Sequence, residues 1–224
     1  MERNWIPLLG EFATGDEIVF QGKTVSFDGR PQPAVGNLLC SERFEGGAIA
    51  GNIRFDEVGE GTAAEFILSY DHRTNGFVVA GLGGVPSMMF DIREFRPRGG
   101  ENPWTIHAAA GERTNLKAQN PYQVRATAYG SQVGLEVDGV QVLAGTLNLP
   151  VPSGQIGFWC MGRAPIHLTD VQIQASRPEA FVVMQFSAPF DDLYADVIRR
   201  VCEASGLSPV RADELYGPGL IVSD

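Results

Sequence analysis

YQVRATAYGSQVGLEVDGVQVLAGT, the run from Tyr122 to Thr146, decides the fold of this chain. Tyr122, Val124, Ala126 and Ala128 place apolar groups on one side, while Gln123, Arg125 and Thr127 point to the other. Val133, Leu135 and Val137 repeat the alternation against Gln132 and Glu136. A period of two with one wet face is the pattern of a half-buried β-strand. Asp138-Gly139 stands between Val137 and Val140 as a two-residue turn whose glycine tolerates positive φ, so the run reads as linked hairpins.

Working outward, short strand patterns separated by glycine-rich or polar turns cover residues 12 to 176. The candidates are Glu17 to Gln21, Thr24 to Phe27, Ala34 to Cys40, Ala48 to Phe55, Ala63 to Tyr70, Gly76 to Leu82, Met88 to Arg93 and Thr105 to Ala110. Tyr122 to Tyr129, Gln132 to Val137, Val140 to Thr146, Gly154 to Met161 and Ile166 to Ala175 complete them. None carries a helix period, and so many short strands in one span predict a two-sheet sandwich. The 27 glycines and 14 prolines supply the turns such a sandwich needs.

Charge narrows the function classes. The chain has 17 basic and 27 acidic residues, a net charge of -10, and no basic stripe, which argues against nucleic acid as a partner. Cys40, Cys160 and Cys202 are far apart, without metal-ligand spacing, and read as free thiols of a reducing compartment. MERNWIPLLGEF lacks a basic-then-apolar leader and no apolar run is long enough to cross a bilayer, so the expectation is a cytoplasmic protein without a membrane partner. His72, His107 and His167 have neither HxH nor HExxH spacing; no metal site is expected.

Tyr122-Gln-Val-Arg-Ala, Gly130, Val133-Gly-Leu-Glu-Val-Asp-Gly139 and Gly154-Gln-Ile-Gly-Phe158 together resemble the closing strands of concanavalin-like lectin/glucanase sandwiches. That superfamily includes laminin-G domains and domains related to 3-keto-disaccharide hydrolases. The resemblance implies a jelly roll over residues 1 to 176. VDG and GxIGF are structural elements, a hairpin turn and a core strand, and carry no chemistry by themselves.

After a short polar linker at 177–179 the pattern changes. A strand run, Phe181 to Phe186, precedes a helix-period segment from Asp191 to Ala204, with Asp191 or Asp192 as its cap and Leu193, Val197, Ile198 and Val201 as its buried side. Gly206, a short apolar step and a polar loop with Gly217 and Gly219 follow. One β-α unit and the start of another predict the opening of a truncated flavodoxin-like α/β domain at 180–224. The loops Gln185 to Asp191 and Arg211 to Gly219 would face one crevice beyond the strand ends.

Met184, Phe186, Phe190, Tyr194, Ile198, Gly206, Arg211, Ala212 and Asp213 resemble the opening of prokaryotic TIR-like and nucleoside 2-deoxyribosyltransferase-like domains, with Gln185 where that family has proline. The resemblance implies a nucleotide-binding set of Gln185, Phe186, Arg211, Asp213 and Glu214. It implies NAD or a nucleotide as substrate of an intact domain, and a catalytic glutamate in a segment beyond Asp224. The 224 residues are therefore expected to be inactive and to need no cofactor.

In the sandwich, an exposed aromatic plane ringed by polar groups would suit a sugar. Trp104, Asp71, Arg73, Asn75 and Arg93 are the carbohydrate-binding candidates; the competing reading makes Trp104 and Trp159 packing residues. No strand carries an ExDxxE-like run, so a glucanase acid pair is not expected. Two functions follow first: a recognition sandwich controlling a nucleotide- or NAD-directed N-glycosidase-type effector, or a carbohydrate- or protein-binding scaffold with a non-catalytic nucleotide-binding domain. A carbohydrate-active sandwich enzyme is the third. The partners expected are a glycan or protein ligand and a second copy of the chain.

Overall fold

The computed structural model describes residues 4–97, 102–176, 179–204 and 207–215. Arg177 and Pro178 of the linker, and Gly206, Gly217 and Gly219, lie outside the described residues. The chain divides into two compact units, Met1–Ser176 and Arg177–Asp224.

The first unit is built of β1 (Trp5–Leu9), β2 (Phe12–Ala13), β3 (Ile18–Phe20), β4 (Thr24–Phe27), β5 (Arg30–Phe44), β6 (Gly47–Phe55), β7 (Ala63–Asp71) and β8 (Gly76–Leu82). It continues with β9 (Met88–Phe95), β10 (Trp104–Glu112), β11 (Tyr122–Tyr129), β12 (Gln132–Val137), β13 (Val140–Thr146), β14 (Gly154–Gly162) and β15 (Ile166–Ala175). One antiparallel sheet runs β1-β5-β14-β7-β8-β9-β10, with β4 paired to β5; the other runs β13-β12-β11-β6-β15-β3-β2. Together they form a jelly-roll sandwich. Phe20, Phe44, Phe55, Phe66 and Phe158 are fully buried in the layer to which both sheets contribute. Each such side chain stabilises the fold by roughly 1.5–3 kcal/mol relative to exposure.

The alternation in β11 and β12 holds residue by residue: Tyr122, Val124, Ala126, Ala128, Val133, Leu135 and Val137 are all buried. Asp138 and Gly139 take φ of 51° and 77°, the paired positive values of a twisted two-residue hairpin turn. Asp138 Oδ1 also accepts a hydrogen bond from Gln123 N–H at 2.9 Å. Nothing surrounds Gly139 within 4 Å of an added Cβ, so a substitution there is penalised by backbone strain alone. Gly139→Ala is expected to cost about 1 kcal/mol, measured as a lowered thermal midpoint, with Gly139→Asn closer to wild type.

Two strands lack a readable pattern. β1, WIPLL, is apolar throughout and interrupted by Pro7; it forms a sheet edge on which Ile6, Leu8 and Leu9 are all exposed. β2 holds only two residues.

The second unit contains two parallel strands, β16 (Glu179–Val182) and β17 (Ser208–Arg211), joined by a helical crossover. The crossover comprises α1 (Phe190–Leu193), a π-helical turn at Tyr194–Ile198 and α2 (Arg199–Ala204); α3 (Ala212–Leu215) follows β17. Of the helix side predicted to be buried, Ile198 is half-buried as expected and the other three residues are not. Leu193, Val197 and Val201 are exposed, and the packed stripe is Tyr194, Ile198 and Cys202, spaced four apart. Tyr194 sets this rotation because its ring lies under Arg211 and its hydroxyl meets Glu214 at 3.2 Å. No side chain caps the helix start; Pro189 occupies that position, and Asp191 instead reaches Arg211.

Candidate functional site

The sheet carrying β7 and β14 also packs on its other side, away from the sandwich interior. Leu39, Ala63, Ile67, Tyr70, Phe77, Val79 and Trp159 form a second apolar cluster there, joined by Phe95 and Trp104. Four strand steps separate β14 from β10, roughly 19 Å along a flat sheet. The rings of Trp159 and Trp104 nevertheless meet edge to face with centroids 5.6 Å apart. The sheet therefore curls into a concave face, and these two tryptophans close its floor. Strand pairing places Arg43, Gln155, Tyr70, Phe77, Phe95 and Trp104 in one row across six strands. Phe77 stacks on Phe95 at 4.8 Å and on Tyr70 at 6.1 Å, so the row is aromatic from Trp104 to Tyr70 and ends in Arg43.

Beneath the tryptophans lie three buried ionisable groups. Glu65 and Asp91 have no exposed surface and Arg93 has 5%. Gly81 stands between the two acids in the sheet, opposite both, and its lack of a side chain leaves room for them to meet. Arg93 binds Glu65 through Nη2 and Nε, and its Nε lies 2.8 Å from Asp91 Oδ1. The backbone N–H of Gly84 donates to Asp91 Oδ2 at 2.8 Å. Two ionised carboxylates against one guanidinium would leave a net negative charge in a dry site; one proton restores neutrality. Burial and the Asp91 charge push the Glu65 carboxyl well above the usual carboxylate range, outweighing Arg93. For Arg93, burial opposes the charged form but Glu65 and Asp91 raise it overall. The guanidinium also lies 4.0 Å from the Trp104 ring centroid.

Trp104 and Arg93 thus sit inside the concave packing. Asp71 and Arg73 stand at its rim, on the turn between β7 and β8. Asn75, exposed on the same turn, accepts a hydrogen bond from the Tyr70 hydroxyl at 2.9 Å. Two cavities adjoin this turn and share Asp71 and Pro152. One of about 310 Å³ includes Thr74, Glu94, Phe95 and Arg96; the other, about 590 Å³, includes Arg43, His72, Arg73, Ser153 and Gln155. Hydrogen bonds from Arg73 N–H at 2.9 Å and from the Thr74 hydroxyl at 3.0 Å fix Asp71 and hold its carboxyl below its usual range. The rim therefore presents an ionised, oriented acceptor at neutral pH.

Sequence reasoning missed Glu65, Asp91, Arg43, Ser153 and Gln155. For the first two a signal existed: Glu65 is the one charge in Ala63 to Tyr70, a run apolar on both faces, and Asp91 and Arg93 share a face of their strand. The other histidines take part in local contacts. His167 Nδ1 meets Glu17 at 2.9 Å and its Nε2 lies 3.3 Å from Asp56, while His107 is 3.5 Å from Glu94. Among the described residues no group of three or more His, Cys, Asp or Glu could hold a metal ion, and no helix is long and apolar enough to cross a membrane.

In the second unit Arg211, Asp213, Glu214 and Phe186 gather beyond the strand ends. Asp213 takes the guanidinium through Nε and Nη2, both at 2.6 Å, and Asp191 takes Nη1 at 2.8 Å. Asp213 and Asp191 raise the Arg211 pKa, and Arg211 lowers that of Asp213. Glu214 meets Arg199 at 2.9 Å. With its fork engaged, Arg211 orders acceptors rather than offering donors to a phosphate. Gln185 has no contact in this cluster among the described interactions.

No protein-family model matches this sequence, and no curated protein is recognisably related to it. Solved structures share the fold at low identity. A carbohydrate-binding module, CBM66 from Bacillus subtilis, aligns with a TM-score of 0.55 and 13% identity over 75% of this chain and 92% of its own. A prokaryotic β-1,3-1,4-glucanase (lichenase) derived from a mouse hindgut metagenome aligns at 0.51 with 12% identity over 75% and 90%. A Bacillus subtilis protein of unknown function with a galectin-like fold aligns at 0.51 with 14% identity over 75% and 87%. These likenesses show a shared β-sandwich fold.

Proposed function

We propose that the sandwich is a glycan-recognition module that binds at the rim turn between β7 and β8. The observation that carries the reading is the pair of cavities meeting at one fixed carboxylate, Asp71, with an aromatic row behind them. Sugar hydroxyls need oriented acceptors and donors beside an apolar surface, and the rim supplies Asp71, Thr74, Ser153 and Gln155 next to Phe77 and Phe95. The carbohydrate-binding module that shares the fold supports the choice of ligand class. Hydrolysis is not part of the proposal: Glu65 and Asp91 are locked by Arg93 beneath Trp104, whereas glycosidase carboxyls must flank a substrate. A glycan array probed with the 224-residue chain tests the reading, and Asp71→Ala is expected to weaken any binding at least tenfold. A folded chain that binds no glycan would remove it.

For the second unit the finer reading is an α/β effector directed at NAD or a nucleoside, which draws on the sequence resemblance and on the cluster around Arg211. Three carboxylates against two arginines suit ribose hydroxyls better than phosphates. Adenosine titrated into the chain is expected to bind and to lose affinity in Asp213→Ala. Absence of nucleoside binding would remove this reading and leave the sandwich proposal intact.

A further inference from the structure

We infer that the larger rim cavity accepts an anionic sugar residue, a uronate or a sulfated saccharide; this rests on the glycan reading above. Several arginines of the first unit are paired with carboxylates. Arg93 is consumed by Glu65 and Asp91, Arg54 by Asp56 at 2.6 Å, and Arg96 by Glu94 at 2.6 Å. Around the 590 Å³ cavity the situation differs. Arg43 donates from Nη2 to the neutral Ser153 hydroxyl at 3.1 Å, and Arg73, 83% exposed, stands with its Nε 3.6 Å from Asp71. Asp71 already accepts two stronger hydrogen bonds from its own turn. Two guanidinium groups and the exposed His72 therefore border a space of ligand size with one committed carboxylate among them.

Nearby acid does not close the site. Glu45 accepts from Ser153 at 3.3 Å, at the side of Arg43, and Glu45 is not among the cavity's lining residues. Arg43, Gln155 and Tyr70 occupy one row across β5, β14 and β7, so rigid strands hold three of the lining groups. A planar carboxylate or a sulfate between Arg43 and Arg73 would gain charge-assisted hydrogen bonds, while Gln155 and Ser153 reach ring hydroxyls. In a chain of net charge -10 such a ligand is repelled at long range and is held only by this local pairing. Neutral sugars gain nothing from it.

The test is a glycan array bearing neutral, uronic, sulfated and sialylated saccharides, followed by calorimetric titration of each ligand found and of its methyl-esterified or desulfated form. Binding confined to anionic saccharides is expected, with at least tenfold weakening on charge removal and in Arg43→Ala or Arg73→Ala. Both arginines are exposed, so the variants should fold, which circular dichroism checks. Equal affinity for the charged and neutralised forms, or full affinity in both variants, would overturn the anionic inference and leave the glycan reading standing. A folded chain that binds no saccharide of any class would overturn both.

Discussion

Arg93→Ala is expected to lower the unfolding free energy of the sandwich by about 3–5 kcal/mol, because it strands two buried carboxyls without their cation. Urea unfolding followed by tryptophan fluorescence measures it, and an unchanged midpoint would mean that the trio does not stabilise the fold. Glu65→Gln is the companion variant. Its amide can donate to Asp91 and accept from Arg93, as a protonated Glu65 does, without taking up a proton on folding, so the two midpoints should agree at or below pH 4.5 and the variant should be the more stable at neutral pH. Burial and Asp91 raise the folded pKa of Glu65 above its ordinary 4.5, so the unfolded chain releases this proton first. The contribution of Glu65 is thus fully present below that ordinary value and is lost as pH rises toward the folded one. The wild-type midpoint should fall with rising pH relative to that of Glu65→Gln; parallel profiles would contradict a retained proton.

Trp104→Ala is expected to cost about 2–4 kcal/mol. The ring lies 4.0 Å from Arg93 and contacts Trp159, Phe95 and Phe77, with centroids at 5.6, 5.1 and 5.5 Å. Losing it opens a void above the Glu65, Asp91 and Arg93 trio and admits water to it. Trp104→Phe should recover about half of the loss by refilling part of the space. A surface sugar platform would behave differently: alanine would abolish binding and leave the unfolding midpoint within about 0.5 kcal/mol of wild type.

The strands could be read where one face is wet, as in Tyr122 to Tyr129, because solvent writes a polar residue at every second position. They were harder to read where both faces are covered, as in Ala63 to Tyr70, which is apolar almost throughout. Bulges between Ile67 and Ser69 and between Gln155 and Gly157 also exchange the faces within a strand, so alternation counted from one end misplaces residues at the other. This is why Asp71 and Arg73 could be found as a turn while their neighbours Arg43 and Gln155 could not. Those residues are brought in by pairing across β5 and β14, over more than a hundred positions of sequence. Trp104 stands out in the sequence as an aromatic plane for a sugar, but only the curl of the sheet shows that its ring turns inward.

The buried trio also bears on how the strands choose their partners. Asp91 lies opposite Gly81 and Arg93 opposite Val79, with Ile92 between them facing the sandwich interior. If β9 paired with β8 one residue out of step, its side chains would exchange faces and Asp91 and Arg93 would turn into the phenylalanine-rich layer. Glu65 would be left on the far side without a cation. Each ion so buried costs several kcal/mol, a large fraction of the stability of a small domain. Misaligned sheets are thereby rejected during folding by electrostatics, at a point where the largely apolar sequences of β7 and β8 would tolerate more than one alignment.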